Sequence, residues 1–161
     1  MELIIAADYD EMSRLAADKI AAQLKAKPDC VLGLATGSTP IGLYAQLVAD
    51  CKAGDISFAD ATTFNLDEYR GLAPDHNQSY RYFMQDNLFD HVDVDVARTH
   101  VPDGANPDAQ AACDAYEAAI EEAGGIDLQL LGLGHNGHIG FNEPCDHFPV
   151  MTHEVKLTEM T

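Results

Sequence analysis

The chain has 161 residues, enough for one domain with a real core and short of two independent ones. Hydrophobic residues make up 47% and charged residues 22%, and no apolar run nears the roughly 20 residues of a spanning helix, so composition excludes a disordered chain and a helical membrane protein. Nine basic against 27 acidic residues give a formal charge of −18, which argues against nucleic acid or anionic lipid as a partner.

Strand-like and helix-like runs alternate along the chain, the order that builds a parallel sheet through crossover units, so the fold class is α/β in a single unit over residues 1–161. Leu3-Ile-Ile-Ala6 reads as a first strand, with no basic residue before it and no cleavage site after it, which predicts no secretory signal and a cytoplasmic location. Asp8 with Glu11 three residues on predicts a capping box for a helix carrying Met12, Leu15, Ala16, Ile20 and Leu24 on one face, ended by Pro28-Asp29. Cys30–Ala35 is a second strand. Thr36-Gly-Ser-Thr-Pro40 then turns into a helix with Leu43, Tyr44, Leu47, Val48 and Cys51 inward and Pro40 at its first position.

Ala61–Leu66 is a third strand that breaks into Asp67-Glu-Tyr-Arg-Gly71, followed by a helix from near Asn77 with Tyr80, Phe83, Met84 and Leu88 inward. Arg98–Val101 is a short strand. Asn106-Pro107 caps and opens a helix with Ala111, Ala112, Ala115, Tyr116, Ala119 and Ile120 on one side, stopped by Gly124-Gly125. The near-continuous apolar run Ile126 to Leu133 predicts a strand covered on both faces, and His153–Leu157 predicts one more. The four cysteines form no CxxC pair and read as free thiols in a reducing compartment.

Three of these strands end in polar groups, the place where open parallel sheets bind ligands. Thr36, Gly37, Ser38 and Thr39 put hydroxyls and unhindered N–H groups at a helix amino end, a candidate phosphate cradle that doubles as an ordinary cap. Asp67 and Glu68 offer a base or a pair of turn formers. His138 and Glu143, five residues apart across a glycine-rich segment, offer an imidazole and an orienting carboxylate. His135, His138, Cys145 and His147 lack the spacing of a metal motif, so no metal is assigned.

The blocks Ala35–Pro40, Thr63-Phe-Asn-Leu-Asp-Glu-Tyr69 and Gly132-Leu-Gly-His-Asn-Gly-His-Ile-Gly-Phe-Asn-Glu-Pro144 resemble, in order and spacing, the signature blocks of the glucosamine-6-phosphate deaminase family. Related sugar-phosphate lactonases share the Gly-His turn, whereas Phe-Asn-Glu-Pro marks the deaminase branch. The resemblance implies a three-layer α/β/α, Rossmann-like, mostly parallel sheet lacking the family's last strands. It implies an enzyme of amino sugar breakdown that turns glucosamine 6-phosphate and water into fructose 6-phosphate and ammonia without redox or metal cofactor.

In that scheme His138 accepts the proton that opens the sugar ring, with Asn136 and Glu143 behind it, and Asp67 moves a proton between the first two carbons. The Gly37-Ser38-Thr39 turn holds the phosphate. Many members of the family have aspartate in place of Asn136, so Glu143 is expected to support the imidazolium alone. The arginine and lysine that the family's later segments bring to the phosphate have no counterpart here, so weak activity is expected unless that part is supplied. The rival readings are a sugar-phosphate lactonase or isomerase and a non-catalytic sugar-phosphate sensor. The substrate is the one partner implied, and a homo-oligomer is allowed.

Overall fold

The computed structural model describes residues 2–157, in which α1 (Tyr9–Ala26), β1 (Val31–Leu34), α2 (Ile41–Ala53) and β2 (Thr62–Asn65) are followed by α3 (Tyr80–Asn87), β3 (Thr99–His100), α4 (Ala109–Glu122) and β4 (Leu128–Gln129). Asp8 caps α1 by accepting from the Glu11 amide at 2.9 Å, and the Glu11 carboxylate accepts from the Ala7 amide at 2.5 Å, so the expected box forms with a one-residue offset. The inward stripe of α1 is Ser13, Ala17, Ile20, Ala21 and Leu24. It is rotated away from the expected Met12 and Leu15, with Ala16 partly buried against the core, because small residues at Ser13 and Ala17 let α1 lie close against α2.

The strands are all parallel, in the order β3-β2-β1-β4, with Leu32 beside Thr63 and Leu34 beside Asn65. Alternation along β1 splits the core in two. Leu32 and Leu34 pack with α1, α2, Phe58 and the Met84 and Leu88 end of α3, while Val31 faces the opposite way with Phe64 of β2 and Tyr116 of α4. Helices therefore cover both faces, in the three layers expected. The chain steps outward from β1 to β2 and β3, then returns to lay β4 on the other side of β1. That reversal leaves a crevice between the carboxyl ends of β1 and β4.

Several expected boundaries move. Leu3–Ala6 pairs with no described strand and leaves Ile5 86% exposed, since four apolar residues without a neighbouring edge cannot form a ladder. His153–Leu157 also lies outside any strand. Pro40 is the residue before α2 and not its first, because its carbonyl already accepts the Tyr44 amide at 2.9 Å. Asp108 caps α4 in place of Asn106-Pro107, whose Asn106 side chain instead accepts the Asp108 amide at 3.0 Å in a turn before the helix. Of the expected apolar face of α4, Tyr116 alone is fully buried.

The largest correction concerns the run Ile126–Leu133. Only Leu128–Gln129 is strand, and Leu131 and Leu133 are 47% and 76% exposed. Among the described residues β4 pairs with β1 alone, so it is the sheet edge. Its last ladder bond runs from the Leu130 amide to the Gly33 carbonyl at 2.8 Å, after which the chain leaves the sheet to wall the crevice.

Candidate active site at the carboxyl ends of the strands

After β1, the fully buried Tyr44 donates its hydroxyl to the Ala35 carbonyl at 2.5 Å and fixes the exit of the strand. The turn then needs Gly37 in a left-handed conformation, φ +90, before α2 begins. After β2, Asn65 is buried, its side chain donating to the Leu34 carbonyl at 3.3 Å and its own carbonyl accepting from the Tyr116 hydroxyl at 2.7 Å. The two strand ends are thus pinned at one height.

The two carboxylates that follow separate into different roles. Glu68 accepts from the backbone amides of Tyr69 at 2.8 Å, Tyr80 at 2.9 Å and Arg81 at 3.0 Å, and so caps the start of α3. Asp67 takes no comparable bond. Burial, and secondarily the nearby Glu68 charge, push its carboxyl up to about 6 from an ordinary 3.8. Of the pair whose residue types alone left base and turn former open, Glu68 is a capping group and Asp67 a desolvated carboxyl.

The third segment folds back on itself. The Gly134 amide donates to the His138 carbonyl at 2.8 Å, and the Gly137 amide to the Gly134 carbonyl at 2.9 Å. The imidazole packs against Gly134, where any side chain would overlap the ring. Asn136 accepts from the His138 amide at 3.1 Å and donates to Glu143 Oε2 at 2.6 Å, while Glu143 Oε1 stands 3.9 Å from His138 Nδ1. That nitrogen is shut from solvent and makes no hydrogen bond. Gly140 brings the loop against Asp67: a methyl there would sit 3.1 Å from Asp67 Oδ2.

One cleft of about 470 Å³ collects these parts: Thr36, Thr39, Asp67 and His138 all line it, at the crevice the strand order creates. Gly37 and Ser38 shape the turn without lining the cleft, and Asn136 and Glu143 stand behind the imidazole. A second cavity of about 520 Å³ shares Asp67 but reaches neither Thr36 nor His138. No lysine or arginine is among the described residues that line the first cleft, so beside the His138 imidazole it offers an anion hydroxyls and backbone amides. Sequence reasoning missed Tyr9, Ser13 and Tyr80. Ser13 and Tyr80 line the cleft, and Tyr9 bonds to the turn from α1; none belongs to a motif, and helical periodicity marked Tyr80 only as an inward residue and gave no reason to single out Tyr9 or Ser13.

Residues 6–141 match the family described as glucosamine-6-phosphate isomerases/6-phosphogluconolactonase. A glucosamine-6-phosphate deaminase 2 of Bacillus subtilis is 55% identical over the whole chain, and a glucosamine-6-phosphate deaminase of a Geobacillus species 56%. The chain spans 65% and 64% of those two relatives. A solved structure described as a monomeric glucosamine-6-phosphate deaminase superposes with a TM-score of 0.96 at 46% identity, over 99% of this chain and 66% of that one. A 6-phosphogluconolactonase structure from Thermotoga maritima matches with a TM-score of 0.71 at 25% identity, over 88% of this chain and 63% of that one.

Proposed function

The chain belongs to the glucosamine-6-phosphate isomerase/6-phosphogluconolactonase family, and from that premise we propose that it carries the catalytic centre of a deaminase that converts glucosamine 6-phosphate and water into fructose 6-phosphate and ammonia. The observation that carries the reading is the convergence of a hydroxyl-bearing helix turn, one desolvated carboxylate and one imidazole on a single cleft. Identity of 55% to a curated deaminase, against 25% to a lactonase structure, favours amine loss over lactone hydrolysis.

The phosphate rests on the turn from Thr36 through Gly37 and Ser38 to Thr39, held by amides and hydroxyls at the start of α2. His138 takes the proton of the anomeric hydroxyl as the ring opens, and Glu143 faces the imidazolium that forms. Asn136, a neutral amide, orients Glu143 through its 2.6 Å bond and adds no charge. Asp67 removes the proton on the second carbon and returns it to the first. A single carboxylate above the plane of the intermediate serves both carbons, and a carboxyl titrating near 6 is a stronger base than an ordinary one while still ionised at pH 7.5. The resulting imine at the second carbon takes up water and releases ammonia. Free thiols at Cys30, Cys51, Cys113 and Cys145 support action in a reducing, cytoplasmic setting.

The test is ammonia and fructose 6-phosphate production from glucosamine 6-phosphate, measured on this chain and on the same chain joined to the carboxyl-terminal third of the Bacillus relative. Turnover by either, abolished by Asp67→Asn, supports the reading. Binding of glucosamine 6-phosphate without ammonia from either would favour the sensor, and hydrolysis of a phosphogluconolactone in its place would favour the lactonase.

A further inference from the structure

We propose that Tyr9 is a positioning residue for the Thr36–Thr39 turn, locking its backbone in the shape that receives a phosphate; the inference rests on the sugar-phosphate reading above. Tyr9 opens α1 and is 45% exposed, yet its hydroxyl is fully engaged. It donates to the Thr39 carbonyl at 2.9 Å, with the Ser38 carbonyl at 3.3 Å sharing the proton, and accepts from the Gly42 amide at 2.9 Å. One oxygen from α1 therefore ties three points of the Ser38–Gly42 segment.

The direction of those bonds matters. In a trans peptide the C=O and the following N–H point opposite ways, so drawing the Ser38 carbonyl toward Tyr9 aims the Thr39 amide away from it. Thr39 lines the cleft and Tyr9 does not. The hydroxyl thus keeps two carbonyl oxygens, which would repel an anion, turned out of the cleft, and leaves an amide donor on the opposite side.

An independent observation lies one helical turn on. Ser13, on the same face of α1, is 1% exposed, lines the cleft, and its Oγ has no hydrogen-bond partner. On the wall of a cleft, a buried hydroxyl in that state is a hydrogen-bonding group that a polar ligand can satisfy. The face is also closely fitted to α2: a methyl on Gly42 would meet Ser13 Oγ at 2.5 Å, Tyr9 Cε1 at 2.8 Å and the Tyr9 hydroxyl at 3.0 Å.

Tyr9→Phe keeps the ring and deletes the clamp. Titration of the chain with inorganic phosphate and with glucosamine 6-phosphate, followed by amide NMR shifts, should move Gly37, Ser38 and Thr39 in the parent. In the variant, affinity for both should fall by about five- to twentyfold, the loss expected for one or two hydrogen bonds. Exchange of the Gly42 amide should accelerate while β2 and α4 stay unchanged. In turnover the same factor should enter KM, with kcat held within about twofold, as for lost ground-state binding. Gly42→Ala, which crowds the same hydroxyl from α2, should reproduce the pattern. Affinity and KM both within about twofold of the parent, or a lower melting temperature with the turn amides unmoved, overturns the proposal. A parent chain whose turn amides respond to neither ligand overturns the sugar-phosphate reading instead, and Gly42 exchange then separates the two failures.

Discussion

Asp67→Asn should stabilise the protein while disabling it. Asp67 is the one carboxylate of the cleft that burial, with help from Glu68, pushes up from 3.8 to about 6. A carboxylate raised in the folded state is ionised there at a cost. That cost is absent below about pH 4, where folded and unfolded chains both hold the proton, and it reaches its full size above pH 6, where both have lost it. At about 1.4 kcal/mol per pH unit, the interval from 3.8 to about 6 comes to roughly 3 kcal/mol, an upper figure because the cleft admits water to one side of the group. The amide carries no charge at any pH. Urea unfolding at pH 7.5 should therefore show Asp67→Asn more stable by about 1–3 kcal/mol, an advantage that fades to nothing near pH 4. Activity at pH 7.5 should drop by roughly 10²–10⁴, the usual contribution of a general base. A variant no more stable than the parent at pH 7.5, or equally more stable at both pH values, refutes the argument that desolvation sets this carboxyl.

Glu143→Gln keeps the shape behind His138 and removes the charge; kcat at pH 7.5 should fall by about tenfold or more, and a loss of only a few-fold would show that the imidazolium draws no support from this carboxylate. Glu68→Ala strips the acceptor from three backbone amides, those of Tyr80 and Arg81 at the start of α3 and that of Tyr69 before it, so the protein should lose about 1.5–3 kcal/mol of stability and melt at a lower temperature. With the neighbouring negative charge gone, the acid limb of kcat/KM should also move to lower pH, part of the way toward an ordinary carboxylate, because burial of Asp67 remains. A limb that moves up, or a melting temperature that does not change, contradicts the assignment of Glu68 as cap and charge neighbour.

What the sequence made legible was whatever local physics decides. Apolar runs ending in Thr36 and Asp67 announced strand ends, and glycine at 37, 137 and 140 announced tight backbone. Other features depend on partners distant in the chain. Asp67 and Glu68 are chemically alike, and only the arrival of the Tyr80 and Arg81 amides separates them. The inward stripe of α1 turned toward Ser13 because α2 presses on it, which no pattern within α1 records. Tyr9 reaches the Thr39 carbonyl across 30 residues. The apolar run at Ile126–Leu133 looked like a central strand, yet composition carries no information about which neighbours a strand will have, and topology made it an edge.

The pairing of β1 with β2, Leu34 opposite Asn65, sets how far each strand's following residues project beyond the sheet. Successive residues there point to opposite faces, so inserting or deleting one residue between Ala61 and Leu66 would swing the carboxylate at 67 to the far side while altering no reactive group. The backbone ladder is the ruler by which this chemistry is measured out, and errors in length within it are more damaging than errors in spelling.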